Sequence, residues 1–275
     1  MNIKLFNIIS YGGGTQSTAL ILMALNGRFG LARPDFAIYA DTGGEPEFIN
    51  EYVRYFIDYC KVKYDFDIFT IMHKTGLEDI LLNSKQISRS GKFYISSVPP
   101  FFTLGKDGDK GMLMRQCTSD YKVHPISRFI TNKIGRAVKY RTWLGISFEE
   151  RSRMRISSVK KITNYYPLVD NYVKRMDSVK YVIDCGVKTP QRSSCYFCPY
   201  HSDRYWRWLK NHHPDEFNKA AKLERHVQQK TNDYMLDTPF LHRSCTNLDE
   251  IKFEGDNQLI LFPELVDECE GYCGI

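Results

Sequence analysis

Short apolar, β-branched runs alternate with helix-forming stretches over the first 146 residues of the chain. The runs predict buried strands at residues 3–10, 36–40, 67–72 and 139–146. Helices are predicted at residues 17–24 and 47–60, where the apolar positions follow a helical period. Such alternation is typical of a parallel sheet covered by helices. We therefore expect an α/β fold, a parallel twisted sheet with helices on both faces and an irregular cysteine-bearing C-terminal extension.

The pattern loosens after residue 167, and residues 185–201 are rich in Cys, Pro and Ser. Two more helices are predicted there, at residues 205–209 and 214–229. The last forty residues show no regular period. The change predicts two regions, an α/β domain over residues 1–180 and a C-terminal region with helices and a flexible tail over residues 181–275.

Composition narrows the class of protein without fixing its function. The 275 residues are 43% hydrophobic and 25% charged, which excludes disordered, collagen-like and coiled-coil chains. No run approaches the ~20 apolar residues of a membrane span, and no secretion signal is recognisable, so we expect a cytoplasmic protein without a membrane partner. Eight cysteines in that compartment favour metal binding or redox chemistry, and a formal charge of +6 allows a polyanionic partner.

A glycine-rich loop lies between the first predicted strand and the first predicted helix, at residues 10–18. Consecutive glycines let backbone N–H groups approach a phosphate, and the helix N-terminus behind them adds donors and partial positive charge. The loop fits neither the dinucleotide fingerprint nor the Walker pattern. The plainer interpretation is a tight turn that closes a βα unit, but its place at the first βα junction favours a phosphate ligand.

The loop Gly12-Gly13-Gly14-Thr15-Gln16-Ser17 resembles the pyrophosphate loop (PP-loop) of the adenine nucleotide α-hydrolase-like superfamily. Within it, the chain resembles the phosphoadenosine phosphosulfate (PAPS) reductase family, especially the type common in phages and mobile elements. Four further blocks carry the resemblance and occur in the family's order: the Asp-Thr-Gly at 41–43, the Arg-Gln-Cys segment at 115–125, the Gly-Ile…Glu-x-x-Arg block at 145–153, and the Cys-x-x-Cys at 195–198.

The resemblance implies that an adenine nucleotide, ATP or the sulfonucleotides PAPS and adenylylsulfate (APS), binds at this loop. The implied nucleotide-binding residues are Ser10, Gly12, Gly13, Gly14, Gln16, Ser17, Thr18, Asp41, Thr42, Gly145, Glu150 and Arg153. Asp41 is also a candidate catalytic residue; the alternative is that it caps the helix predicted from residue 47. The family's loop aspartate is replaced by Gln16, and an amide is a poorer ligand for Mg²⁺, which is a further candidate cofactor.

The cysteines predict a metal centre. Cys117, Cys195 and Cys198 match a site built from one distant cysteine and a Cys-x-x-Cys pair, with Cys185 as a candidate fourth ligand. The resemblance implies an iron–sulfur cluster, 4Fe-4S, although Thr118 replaces the family's second adjacent cysteine. A tetrahedral zinc site of Cys185, Cys195, Cys198 and His201 is the alternative. Cys60 and Cys245 are expected to be buried apolar residues.

The C-terminal Cys269-x-x-x-Cys273 resembles the segment that carries the nucleophile of sulfonucleotide reductases. Cys273 and Cys269 are therefore candidate catalytic thiols, which could also form a reversible disulfide. The alternative is a tail whose cysteines take no part. The aromatic and basic residues at 196–210 are expected to pack around the cysteines rather than to stack nucleic-acid bases.

These features predict a sulfur-handling enzyme, an oxidoreductase or a sulfurtransferase. In one version Cys273 attacks the sulfur of a sulfonucleotide and a thiol reductant such as thioredoxin completes the reaction. In the other, ATP adenylates a nucleobase or similar acceptor, with tRNA as a candidate, and sulfur from the cluster is inserted. A homodimer is a further candidate assembly. The alternative from another class is a non-catalytic, regulatory nucleotide-binding module with a structural zinc knuckle.

Overall fold

The computed structural model describes residues 5–83, 86–87, 93–94, 98–231 and 237–253. The strands of this part are β1 (Phe6–Tyr11), β2 (Phe36–Asp41), β3 (Ile68–Met72), β4 (Gln86–Ile87), β5 (Phe93–Tyr94), β6 (Phe102–Leu104), β7 (Lys110–Met112), β8 (Tyr140–Leu144), β9 (Ile162–Tyr165) and β10 (Thr238–Phe240). The helices are α1 (Thr15–Leu25), α2 (Glu47–Tyr64), α3 (Leu77–Asn83), α4 (His124–Ile134), α5 (Pro167–Asp170), α6 (Arg175–Asp184), α7 (Asp203–His212) and α8 (Pro214–Thr231). A π-helical turn, Ser119–Val123, leads directly into α4, and a 3₁₀ turn, Phe148–Arg153, follows β8. None of the described helices combines the length and the apolar character needed to cross a membrane.

The central sheet is parallel throughout and has the strand order β3-β2-β1-β8-β9. The chain builds outward from β1 to β3 and then crosses over, so that β8 lies on the other side of β1. Strand order therefore reverses between β1 and β8, and the loops that follow these two strands diverge at their carboxyl ends. In open α/β sheets, the crevice at such a reversal is where ligands bind.

Helices cover both faces of the sheet, because successive side chains of each strand point to opposite sides. On one face, Ile9 of β1 packs in a core with Leu20 of α1 and Phe56 of α2. On the other, Ile8 packs with Ile130 of α4. The α/β fold expected from the sequence, a parallel sheet with helices on both faces, is confirmed.

A second core lies beside the sheet. It joins α3, α7 and α8 with Tyr121 of the π-helical turn and with Tyr196 and Phe197, the two residues within the Cys-x-x-Cys. The predicted division at residue 180 stays a prediction; α6 runs across that position, and its Val182 belongs to the core of the parallel sheet. In the C-terminal region, β10 pairs antiparallel with β6.

Glu224 of α8 joins this second core to the chain that follows it. Glu224 is almost completely buried, with 1% of its surface exposed. One carboxylate oxygen accepts from the Leu241 N–H at 2.6 Å, and the other from the Leu248 N–H at 2.7 Å. Burial nevertheless dominates, and it raises the pKa of Glu224 to about 7.

This raised pKa predicts that part of the stability is lost as the pH rises. A carboxyl whose pKa is higher in the folded protein stabilises the fold fully below its ordinary pKa of 4.5, and this contribution disappears as the pH passes about 7. The free energy of unfolding of the wild type, relative to Glu224→Gln, should therefore fall by about 3 kcal/mol between these pH values. Urea unfolding at several pH values measures it, with Glu250→Gln as an exposed control. A constant difference between wild type and Glu224→Gln would contradict the assignment.

Candidate functional site

The glycine loop between β1 and α1 has a backbone that is fixed by its own contacts. Gly13 adopts φ +75°, and a Cβ atom there would lie 3.1 Å from Val53 Cγ2, so a side chain would be both strained and crowded. The Ser17 hydroxyl donates to the Gly14 carbonyl at 3.0 Å and accepts from the Gly12 N–H at 3.2 Å. The first N–H groups of α1 have no partner inside the helix, which leaves donors at this end for an anion.

The end of β8 lies directly against this loop. A Cβ atom on Gly145 would lie 2.8 Å from both the backbone nitrogen and the Cα atom of Ser17. Such a separation is not tolerated between a Cβ and backbone atoms, so the position needs glycine. The close approach forms the floor of the crevice where the strand order reverses.

A cavity of about 430 Å³ opens at this point. Eight of the residues predicted to bind a nucleotide line it, namely Ser10, Gly12, Gly14, Gln16, Ser17, Gly145, Glu150 and Arg153. Five cationic side chains are among its described lining residues, against one carboxylate: Lys122, Arg153, Arg155, Arg175 and Arg192, against Glu150. Its other wall is apolar and includes Ile126 of α4, Tyr140 of β8 and Ile162 of β9. The cavity thus offers positive charge near the glycine loop and an apolar surface farther along the strands.

Glu150 connects the glycine loop to the turn that follows β8. It is 7% exposed and forms an ion pair with Arg153. Its second oxygen accepts from the Gln16 amide at 3.3 Å and from the Ser147 hydroxyl at 3.3 Å. An aspartate at position 16 would place two carboxylates together in this buried location, which costs free energy. The neutral amide of Gln16 donates to Glu150 and avoids this repulsion between carboxylates.

Four residues of the predicted nucleotide-binding set do not line the cavity: Gly13, Thr18, Asp41 and Thr42. Thr18 is fully buried beneath the loop, where its hydroxyl lies 3.4 Å from the Tyr11 hydroxyl. Asp41 accepts from the Gly43 N–H at 2.7 Å and shapes the turn after β2. It does not cap α2, whose N-cap is Pro46.

Thr42 belongs instead to a pocket around Cys195. Its hydroxyl lies 3.3 Å from the Cys195 Sγ atom and donates to Glu45 Oε2 at 2.6 Å. The Glu45 side chain is fully buried, and Lys122 Nζ lies 3.8 Å from its other oxygen. A Cβ atom on Gly44 would lie 3.2 Å from the same sulfur, so the backbone of this loop closes over the thiol.

The pocket keeps Cys195 protonated at neutral pH. Burial raises the pKa of the Cys195 thiol well above its usual value, and the Glu45 carboxylate raises it further. The Lys122 ammonium and the Thr42 hydroxyl act in the opposite direction, and Cys117 adds a smaller increase. Cys117 and Cys195, which the sequence predicts to share one site, are therefore neighbours electrostatically, and both pack against the second core.

Cys198 follows Cys195 in a tight turn. The Cys198 N–H donates to the Cys195 carbonyl at 3.1 Å, and the His201 N–H donates to the Cys198 carbonyl at 3.1 Å. The buried His201 ring stacks on Tyr205, with 3.9 Å between ring centroids, and its Nε2 lies 2.9 Å from the Cys195 carbonyl oxygen. Burial and the Arg192 guanidinium lower the pKa of His201, so the neutral ring donates from Nε2 to that carbonyl.

Cys185 does not join the other cysteines. It caps the C-terminus of α6, where its Sγ atom lies 3.8 Å from Asn26 Nδ2 beyond the end of α1. The glycine loop lies at the opposite end of α1, an 11-residue helix of about 16 Å. The chain between Cys185 and Cys195 runs back along the length of α1. Cys185 therefore lies away from the other cysteines of the predicted cluster and of the predicted zinc site.

Across the part of the chain that the structure describes, no three His, Cys, Asp or Glu side chains come close enough to hold a metal ion. The predicted cluster and the predicted zinc knuckle stay predictions. Cys269 and Cys273 lie outside the described residues. Cys60 and Cys245 are buried, as expected. Except for Tyr200, the aromatic residues predicted to pack around the cysteines are buried in the second core: Tyr196, Phe197, Tyr205, Trp206 and Trp208.

Sequence reasoning missed part of the cavity wall. Arg155 and the residues after it, and Arg175 at the start of α6, all line the cavity. Ser193 also lines it, and its hydroxyl donates to the Gly12 carbonyl. The repeated Arg-x-Arg-x-Arg of residues 151–155 was the available signal for the first of these. Arg175 and Ser193 carry no such signal, because only the fold brings them to the loop.

Neither a protein-family model nor a curated protein sequence matches this chain significantly. Among solved structures, it is similar to the U34-tRNA thiolase NcsA from Methanococcus maripaludis with its 4Fe-4S cluster. The two share 12% sequence identity with a TM-score of 0.42, over 82% of this chain and 72% of the thiolase. At that similarity, no residue or activity of the thiolase is transferred to this chain.

Proposed function

We propose that this chain is a sulfur-handling enzyme of the PP-loop superfamily, which binds an adenine nucleotide in the cavity and reacts through the cysteine thiols beside it. One observation carries the proposal. Lys122 lines the cavity and lies 3.8 Å from Glu45, and Glu45 holds the Thr42 hydroxyl that contacts Cys195. A phosphate-bearing ligand and the thiol pocket would therefore share one wall.

The nucleotide would bind with its phosphates at the glycine loop. The N–H groups of the first turn of α1 and the surrounding cations suit a polyanion, since both interactions strengthen in a crevice shielded from water. The adenine base would pack against Ile126 and Leu144, of which Leu144 is the last residue of β8 and lies at the same end of the strands as the glycine loop. The single carboxylate at the site, Glu150, is occupied by Arg153, Gln16 and Ser147. A Mg²⁺ ion would therefore depend mainly on the phosphates for ligands.

Sulfonucleotide reduction is the first reaction that fits this arrangement. A cysteine thiolate attacks the sulfonate sulfur of PAPS or APS, the bond from that sulfur to the phosphate oxygen breaks, and the nucleotide leaves. A second thiol attacks the sulfur of the first cysteine, so that a disulfide forms and sulfite leaves. A dithiol protein such as thioredoxin then reduces the disulfide. Cys195 and Cys117 are the described thiols for these roles, and Cys273 stays a predicted nucleophile. Cys195 is protonated in the free protein, so it would react only after losing its proton, and the Lys122 ammonium and the Thr42 hydroxyl would stabilise the resulting thiolate.

Sulfur transfer to an acceptor is the second reaction that fits this arrangement. ATP adenylates an oxygen of the acceptor, for which tRNA is the candidate, and pyrophosphate leaves. A cysteine persulfide, supplied by a persulfide donor, attacks the activated carbon, and AMP leaves with the oxygen. A second thiol then breaks the sulfur–sulfur bond, which leaves one sulfur on the acceptor and a disulfide on the protein. Both reactions use the same cavity and the same pair of thiols, and each is complete without a metal centre.

Product analysis separates the two reactions. Protein purified without oxygen is incubated with PAPS, APS or ATP, and sulfite, AMP and pyrophosphate are measured. Sulfite from a sulfonucleotide selects reduction, whereas AMP and pyrophosphate from ATP select transfer. Nucleotide binding without any product would select the regulatory alternative. Iron and acid-labile sulfide in the same preparation decide the cluster prediction independently.

The cationic wall gives a direct test of nucleotide binding. Arg175→Met removes one lining cation from the start of α6, and we expect the affinity for ATP or PAPS to fall about tenfold, as for the loss of one charge-assisted hydrogen bond. Calorimetric titration measures the effect. Lys180→Met is the matched control, because Lys180 is exposed on the same helix and does not line the cavity. Equal affinities of both variants and the wild type would contradict the proposed binding site.

A further inference from the structure

Positive charge is concentrated in one part of this chain. Thirteen Lys and Arg residues and three Asp and Glu residues lie between positions 121 and 175, a net charge of +10, whereas the whole chain carries +6. Residues 121–148 and 151–169 contain no acidic residue. This segment builds α4, β8, the chain that follows β8, and β9, which are the elements around the cavity.

The cavity extends well beyond the glycine loop. Its lining runs from Gly12 and Gly145, at the carboxyl ends of the strands, to Tyr140 and Ile162, which are the first residues of β8 and β9. β8 is five residues long, which corresponds to about 16 Å. The cavity therefore reaches from the phosphate-binding loop to the opposite edge of the sheet, and we call this part its far end.

Five cations neighbour residues of this far end in the sequence or in the structure, and we call them the basic rim: Arg128, Arg136, Lys139, Lys160 and Lys161. Four of them are sequence neighbours of lining residues. Arg128 follows Ser127, Lys139 precedes Tyr140, and Lys160 and Lys161 lie between Val159 and Ile162. Lys161 Nζ donates to the Arg136 carbonyl at 3.0 Å, which places the backbone of Arg136 beside Lys161. All except Lys161 are exposed.

We propose that the basic rim binds the sugar–phosphate backbone of a nucleic acid whose unpaired nucleotide enters the far end of the cavity. The inference rests on the proposed function, because it names the class of acceptor for the sulfur-handling site. Lysine and arginine side chains bind backbone phosphates by displacing condensed counterions. An unpaired base can leave its stack and enter a pocket next to such cations, whereas a paired base cannot.

The polar residues of the cavity wall support a nucleotide at this end. Ser157, Ser158 and Asn164 line the cavity together with the apolar side chains of Val159 and Ile162. A base needs this combination, since its faces are apolar and its edges carry hydrogen-bonding groups. A lipid headgroup at a membrane surface would use the rim charges but not the polar wall of the far end.

The test compares binding of a stem-loop RNA and of a DNA hairpin of the same sequence, measured by fluorescence anisotropy at several salt concentrations. The triple variant Arg128→Ala, Lys139→Ala, Lys160→Ala should bind at least about tenfold more weakly, and the slope of log K against log salt should fall by roughly two. The matched control is Lys106→Ala, Lys180→Ala, Lys222→Ala, which removes three exposed cations elsewhere and should bind like the wild type. Tighter binding of the RNA or of the DNA identifies which nucleic acid is the acceptor.

Three outcomes would overturn the proposal: equal weakening by both triple variants, no binding of either hairpin, or loss of binding to phosphatidylserine vesicles as the only effect of the rim variant. ATP affinity, measured on the same proteins, keeps this inference distinct from the proposed function. The rim variant should bind ATP like the wild type. If ATP and both sulfonucleotides fail to bind the wild type while the rim still binds RNA, the proposed function fails and the nucleic-acid surface stands.

Discussion

Cys195→Ala is expected to lower turnover by roughly a thousandfold or more, as for removal of a reacting nucleophile. The reason is the position of this thiol. It contacts Thr42, which Glu45 holds by a 2.6 Å hydrogen bond, and Glu45 lies beside the lysine that lines the nucleotide cavity. Sulfite release from a sulfonucleotide, or thiolated acceptor formed with ATP, is the measurement.

Nucleotide affinity in the same variant distinguishes lost chemistry from lost structure. Cys195 does not line the cavity, so the alanine variant should bind ATP or PAPS within about twofold of the wild type while it fails to turn over. Cys185→Ala is the matched control, since that thiol lies against Asn26 at the far end of α1. Comparable activity of the Cys195 and Cys185 variants would remove Cys195 from the reaction.

The sequence predicted most of the parallel sheet because the central strands β1 and β2 are largely buried and are rich in apolar residues. The four runs identified in the first 146 residues are β1, β2, β3 and β8. β10 was not predicted, since three residues are too few to show a period, and its partner β6 lies more than 130 residues earlier in the chain. Local pattern cannot reveal a pairing of that kind.

The sequence predicted those parts of the candidate site that depend on the backbone. The glycine loop and Gly145 are examples, because a glycine at a strand end is visible in the sequence and lies at the predicted edge of the sheet. Side-chain direction was not visible. Thr18 and Thr42 belong to the right segments, yet one faces the core and the other faces Cys195. Cys185 was grouped with the other cysteines by spacing alone, and the length of α1 separates it from them.

Gly145→Ala is expected to lower the affinity for ATP or PAPS about a hundredfold, the usual cost of displacing binding groups by about 1 Å. Its new Cβ atom would lie 2.8 Å from the nitrogen and the Cα atom of Ser17, which are backbone atoms and cannot rotate away. The first turn of α1 must therefore move away from β8, and the donors of the glycine loop move with it. Calorimetric titration measures the affinity, and thermal unfolding should show a loss of roughly 1–3 kcal/mol from overpacking.

Gly14→Ala provides the matched control for the stability part of this prediction. A Cβ atom on Gly14 would lie 3.8 Å from the nearest atom, Ser193 Cβ, which is an ordinary contact, and the residue has an extended backbone at φ −100° and ψ 173°. The stability of Gly14→Ala should stay within about 0.5 kcal/mol of the wild type. If Gly145→Ala were as stable as Gly14→Ala and bound nucleotide like the wild type, the contact between β8 and the glycine loop would not be what shapes the cavity. If Gly145→Ala alone is impaired, the reversal of strand order between β1 and β8 is the feature on which nucleotide binding depends.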